Sequence, residues 1–145
     1  MFDWRWDFTW NILPRLIMAT GNTLLAAGLG YAIAVVLGLV LALAQRSPSR
    51  TLTLVVREAV EFIRSTPLVL QIFFVFYVGP QFGLRLSPWT AGMIAIGLHY
   101  AAYLSEVYRG GIDSVPKGQW EAATSLNLST SRTYLRVVIP QALPP

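Results

Sequence analysis

Residues 20–44 read TGNTLLAAGLGYAIAVVLGLVLALA, and no charged residue occurs anywhere between Arg15 and Arg46. A helix that crosses a bilayer needs about 20 predominantly apolar residues, so this stretch predicts a membrane span over 20–44. Its small residues fall every four positions, at Ala26, Gly30, Ala34, Gly38 and Ala42. That spacing puts them on one helix face. In lipid, small side chains let two helix backbones approach closely, and the stripe is therefore expected to pack on another helix.

The same absence of charge recurs downstream, between Arg64 and Arg85 and between Arg85 and Glu106. These gaps predict a second span over 66–78 and a third over 88–108. Across its 145 residues the chain is 54% hydrophobic and 12% charged, about half the charged fraction of an average soluble domain. The expected fold class is therefore an all-α, polytopic helical membrane protein. Trp4, Trp6 and Trp10 suit a membrane interface. The first residues lack the basic-then-apolar pattern of a cleavable signal peptide.

Cysteine is absent and His99 is the single histidine, which excludes a disulfide framework, a thiolate site and a histidine-cluster metal site. No cofactor is expected. The net charge of +4 lies beside apolar segments, which fits membrane topology better than nucleic-acid binding. Arg46, Arg50, Arg57 and Arg64 flank the second span on one side, and Arg109, Lys117, Arg132 and Arg136 follow the third. Only Arg85 lies between those two spans. Cytoplasmic loops carry the excess of Lys and Arg. The N-terminus is thus expected outside, with the 46–64 and post-108 segments in the cytoplasm.

Between the first two spans, Arg46-Ser-Pro-Ser-Arg50 reads as a polar break. Leu52, Val55, Ala59 and Phe62 then recur at helical spacing, predicting an amphipathic helix on which Arg57 and Glu61 can pair. Pro67 is tolerable near a helix start, and Gly79-Pro80 is expected to end the second span.

The final segment, Gly110 to Pro145, is the least hydrophobic long stretch, and its 110–140 loop reads as a helix, a break and a second helix. Pro116 suits a first turn. Gln119 to Leu126 holds good helix formers, and Asn127 can take the left-handed ending conformation. Ser129 can cap the next helix, and Pro140 is expected to stop it. Nothing here pairs a nucleophile with a base or forms a glycine-rich phosphate loop. ATP chemistry would have to lie on another chain, and an intramembrane enzyme lacks its catalytic pair.

Glu121-Ala122-Ala123, Asn127 and Ile139-Pro140 together resemble the EAA loop of permeases of ATP-binding-cassette importers. Residues 105–112, Ser-Glu-Val-Tyr-Arg-Gly-Gly-Ile, and Arg64-Ser-Thr-Pro-Leu68 resemble the polar amino-acid uptake branch. The resemblance covers nearly the whole chain. It implies a transport subunit that is not itself an enzyme. It further implies a separate ATPase subunit, a second permease subunit that is identical or paralogous, an extracytoplasmic solute-binding protein, and a surround of membrane lipid. The loop would be a coupling helix seated on the ATPase, with Glu121 as its polar anchor. Asn127 departs from the glycine usual there. Family members continue into two more helices, about five in all, so the end at Pro145 is expected to be a truncation. The opening residues 2–8 and the 121–128 segment are similar to ectoine and hydroxyectoine permeases.

Gln71, His99 and Glu106 are candidates for polar contacts along a translocation path or for packing between helices, since ionisable groups inside membrane segments are functional suspects. Glu106 can instead pair with Arg109. Arg109 with Gly110-Gly111 reads either as a hinge at the mouth of the third span or as a stop-transfer charge before a flexible turn. The rival to the permease reading is a small three-span membrane interaction protein that recruits a cytoplasmic partner without transport.

Overall fold

A computed structural model describes residues 5–142. Helix α1 spans Trp6–Ala44, α2 Arg50–Ser65, α3 Leu68–Phe73, α4 Pro88–Asp113, α5 Lys117–Ser125, α6 Thr130–Thr133 and α7 Ile139–Ala142. No strand occurs among the described residues. Trp6 and Trp10 lie well exposed on α1, whereas Trp4 lies outside the described residues.

Helix α1 is longer than the uncharged gap suggests. It starts at Trp6 rather than near residue 20 and carries Pro14 inside it. An interior proline removes one backbone donor and crowds the carbonyl four residues back, yet the winding continues through Pro14. The stripe at Gly30, Ala34, Gly38 and Ala42 is buried, with Ala26 half-buried at its end. It packs on α4, the most extensive contact in the fold. The facing side of α4 is also small, with Ala91, Ala95, Gly97, Ala101, Ala102 and Ser105 buried.

The contact is close enough to need glycine. A Cβ at Gly30 would lie 2.9 Å from Ile96 Cγ2, one at Gly38 2.9 Å from Leu104 Cβ, and one at Gly97 2.8 Å from Ile33 Cγ2. Outside this seam α1 is exposed and apolar, as at Leu24, Val36 and Val40, which is the surface of a helix clothed by lipid or by other helices.

Among the described residues, α1 alone is long and apolar enough to cross a membrane by itself. Helix α2 with residues 68–82 meets the same test only as a pair bent by 106°. Helix α4 has 26 residues, about 39 Å at 1.5 Å per residue. His99, Glu106, Arg109 and Asp113 dilute its apolar character.

The elbow between α2 and α3 has a local cause. Thr66 precedes a proline and takes an extended conformation, φ −100° and ψ 130°, as the pyrrolidine ring demands of its neighbour. Gln71 Nε2 then donates to the carbonyls of Ile63 (2.8 Å) and Thr66 (3.1 Å), tying the two arms of the bend together.

Three expected boundaries move. The helical winding does not end at Gly79-Pro80. A π turn over Phe74–Val78 and a 3-10 turn over Gly79–Phe82 carry the winding on, until Gly83 at φ 84° ends it. Pro140 does not stop its helix either, because a second π turn, Tyr134–Val138, precedes it and α7 follows. Each proline sits two residues after a π turn. The wider turn moves the carbonyl four residues back away from the pyrrolidine ring, relieving the clash that ends ordinary helices. Lastly, Gly110-Gly111 forms neither hinge nor turn, because α4 continues through both to Asp113. A Cβ at Gly111 would lie 2.8 Å from the Ala142 carbonyl oxygen, so close packing of α7 accounts for that glycine.

The seam yields a test. Gly38→Leu should destabilise the fold by about 1–3 kcal/mol through overpacking, seen as a lower unfolding midpoint in detergent. Gly28→Leu should change it little, since an added Cβ there meets nothing within 4 Å. Equal midpoints for the two variants would contradict the seam.

Candidate functional site

The segment after α4 folds into a hairpin whose first arm is α5 and whose second arm runs through α6, the π turn and α7. The turn between the arms closes as the sequence pattern requires. Asn127 has φ 53°, the left-handed conformation that asparagine tolerates better than most residues. Its N–H donates to the Thr124 carbonyl at 2.9 Å, and that of Leu128 donates to the Ala123 carbonyl at 3.1 Å. These two bonds are a Schellman ending, which satisfies carbonyls the helix would otherwise leave open. Ser129 takes the capping position, but its side chain caps nothing. Its backbone carbonyl receives the Thr133 N–H at 2.9 Å instead.

Ala123 is 2% exposed and turned inward, while Glu121, Ala122 and Asn127 are exposed. The buried side of the hairpin is a compact apolar cluster. Ile112 from the end of α4, Val115 and Val138 form its centre, with Trp120, Tyr134 and Ala142 packed around them. Trp120 and Tyr134 meet edge to face at 5.4 Å. Pro140 is exposed beside this cluster.

Beyond the packing of α4 on the cluster, a polar contact joins the hairpin to both long helices. Arg46, just past the end of α1, forms an ion pair with Asp113 at the end of α4. Its Nε donates to the Tyr134 hydroxyl at 3.4 Å, and its guanidinium lies 5.8 Å from the Trp120 ring centre. Burial alone would lower its pKa. The hydrogen bonds with Tyr134 and Asp113 outweigh that and hold it above the ordinary arginine value, so the charge persists at any physiological pH. Asp113 also accepts from Arg109 at 3.1 Å. None of Arg46, Asp113, Trp120 and Tyr134 stood out in the sequence. A basic residue closing the longest apolar helix was the available signal for the first.

The polar candidates of the helices lie apart from the hairpin tip. Gln71 is committed to the elbow by the two bonds described above. Glu106 accepts from Arg109 at 2.7 Å and lies 3.9 Å from Arg64. Arg64 in turn covers the Tyr103 ring at 5.3 Å, while the Tyr103 hydroxyl donates to the Arg64 carbonyl at 3.2 Å. Glu61 pairs with Arg64 at 3.5 Å in place of the expected Arg57. His99 packs against Tyr100 and Tyr103, and its Nδ1 is buried without a hydrogen-bond partner. Among the described residues no cluster of three or more acidic or histidine side chains could hold a metal ion.

The hairpin turn yields a second test. Asn127→Gly should leave the unfolding midpoint nearly unchanged, whereas Asn127→Val should cost about 1–2 kcal/mol for a branched residue held left-handed. The same loss in both variants would mean that backbone strain does not govern this turn.

Residues 34–145 match the family described as the binding-protein-dependent transport system inner membrane component. A probable amino-acid ABC transporter permease protein of Sinorhizobium fredii is 43% identical over 99% of this chain and 65% of its own length. The glutamine transport system permease protein of Escherichia coli K12 is 35% identical over 98% of this chain and 65% of its own. The crystal structure of an amino acid ABC transporter with histidines superposes with a TM-score of 0.86 at 33% identity, covering 97% of this chain and 66% of that one. The chain thus spans about two thirds of the length of these relatives. Its helices, its hairpin and these matches agree that it belongs to the binding-protein-dependent transport system inner membrane components, in the branch of amino-acid ABC transporter permeases.

Proposed function

We propose that the chain is the permease part of an ATP-driven importer for polar amino acids or their derivatives, and that α5 is the element through which a separate ATPase subunit moves it. The observation that carries this reading is the contrast within the hairpin. Glu121 stands exposed mid-way along α5, while the hairpin's other face is braced by the Ile112–Val115–Val138 cluster and by Arg46. A force applied at Glu121 would reach α1 and α4 together, because Arg46 belongs to one and Asp113 to the other. An extracytoplasmic binding protein would deliver the solute, and a second permease subunit would complete the pathway. Three spans over 20–44, 66–78 and 88–108 with the N-terminus outside complete the reading.

Ectoine or hydroxyectoine is the solute class we propose within that set, supported by the resemblance of residues 2–8 and 121–128. Relatives of similar identity carry other solutes in their names, among them L-cystine and glutamine. Competition of labelled ectoine uptake by unlabelled glutamine and cystine decides among them.

Coupling is tested in a version extended to the family's full length. Glu121→Ala should reach the membrane yet lose at least tenfold in uptake and in ATPase co-purification, because unpairing a docked charge costs on the order of 2–5 kcal/mol. Thr130→Ala should retain both. Normal uptake and normal ATPase retention in Glu121→Ala would refute the assignment. For topology, single cysteines at Ser47, Gly83 and Ser125 should divide on treatment with an impermeant label, with only Gly83 labelled in intact spheroplasts. External labelling of Ser125 would reverse the orientation.

A further inference from the structure

A polar cleft of about 230 Å³ opens where α1 ends, lined by Gln45, Arg46, Thr53, Arg57, Arg109 and Asp113. Three elements build it: the end of α1, the first half of α2 and the end of α4. Most of its polar groups are already committed. Arg46 and Arg109 share Asp113, Arg109 also holds Glu106, the Gln45 amide donates to Ser105 Oγ at 3.3 Å, and the Thr53 hydroxyl donates to the Ser47 carbonyl at 3.1 Å. Arg57 is the exception, with no hydrogen bond or ion pair among the described residues. Three guanidiniums and one carboxylate line the cleft, and behind it Glu106 and Glu61 against Arg64 leave one further negative charge. The sum is one uncompensated positive charge, and it resides on a residue with five N–H donors in a fixed fork.

We infer that this cleft binds a monoanionic phosphodiester, namely the headgroup of an acidic membrane lipid. The charge fits one negative group. Arginine forks match phosphate oxygens bidentately, and Arg57 is the fork left open for such an oxygen pair, since Arg109 already gives Nε and Nη2 to Glu106 and Nη1 to Asp113. The position selects lipid over a soluble anion. The cleft sits at the last turn of the long apolar α1, the level at which headgroup phosphates lie when such a helix crosses a bilayer. An exposed apolar side chain on α2, Leu54, can receive an acyl chain. This inference rests on the membrane-spanning reading of α1.

The experiment uses the purified chain in detergent, after fractionation has shown whether it resides in the membrane. Binding of dioctanoyl phosphatidylglycerol is measured by native mass spectrometry and by a thermal shift. Inorganic phosphate is the soluble probe, and dioctanoyl phosphatidylcholine is the net-neutral lipid. Phosphatidylglycerol should bind at least tenfold more tightly than either. Arg57→Gln should weaken it at least tenfold, while Arg50→Gln, on the same helix but outside the cleft, should leave it unchanged. Equal losses in the two variants would overturn the site, since general surface charge would then explain binding. Phosphate binding as tightly as the lipid would overturn the lipid assignment. A chain found in the soluble fraction would overturn the membrane reading itself, and a membrane-resident chain that ignores phosphatidylglycerol would overturn only this site.

Discussion

Everything in this chain hangs on how closely the backbones of α1 and α4 approach one another. Apolar side chains gain little by leaving lipid for protein, so helix pairing in a membrane depends on dispersion contacts and on a few polar bonds. Those contacts require proximity, and proximity requires small residues. Gly30, Ala34, Gly38 and Ala42 meet Gly97, Ala101, Ala102 and Ser105 in a seam where an added methyl at Gly30, Gly38 or Gly97 would lie within 3 Å of a neighbour. The ends of the two helices are thereby brought together, and only for that reason can Arg46 reach Asp113 and Tyr134.

The hairpin inherits its position from that encounter. Its own secondary structure is short, with arms of a few turns that could not persist alone in water. It is held by three apolar residues, two aromatic rings and one guanidinium. Arg46 serves the hairpin as an anchor rather than as a source of large stabilisation, since its partners are only partly buried and such pairs are worth little individually. What it contributes is direction, because a planar group bonded on two sides and stacked near a ring fixes an angle between the hairpin and both helices.

Much of this was legible in the residues, for physical reasons that also mark where legibility ended. The four-residue stripe on α1 is a local periodicity, and a face of that kind can be read without knowing its partner. Asn127 is likewise a local constraint, since few residues accept φ 53°. The start of α1 was not readable, because Pro14 and Arg15 look like a boundary when the length of surrounding apolar surface is unknown. Gly110-Gly111 looked like a break, because glycine disfavours helix when considered alone. The reason Gly111 is a glycine lies in Ala142, far along the chain. Both prolines misled in the same way, as the preceding π turn that accommodates each leaves no plain mark in composition. Arg46 was invisible as an anchor because its partners are 67 and 88 residues away.

The seam has a weakness that its own regularity creates. A ruler with identical marks every four residues can slide by one mark and still match, a shift of about 6 Å along the helix axis. Small residues alone therefore leave α1 and α4 with a translational degeneracy. The hydrogen bond from Gln45 to Ser105, buried at the end of the seam, has no counterpart one step up or down. Displaced by four residues toward Ala101, the Gln45 amide would meet a methyl where it now meets a hydroxyl, and a buried polar group left unsatisfied is costly. The amide, with the Arg46–Asp113 pair beyond it, thus acts as a key that turns a repetitive surface into one alignment, and the hairpin that carries Glu121 starts from that alignment.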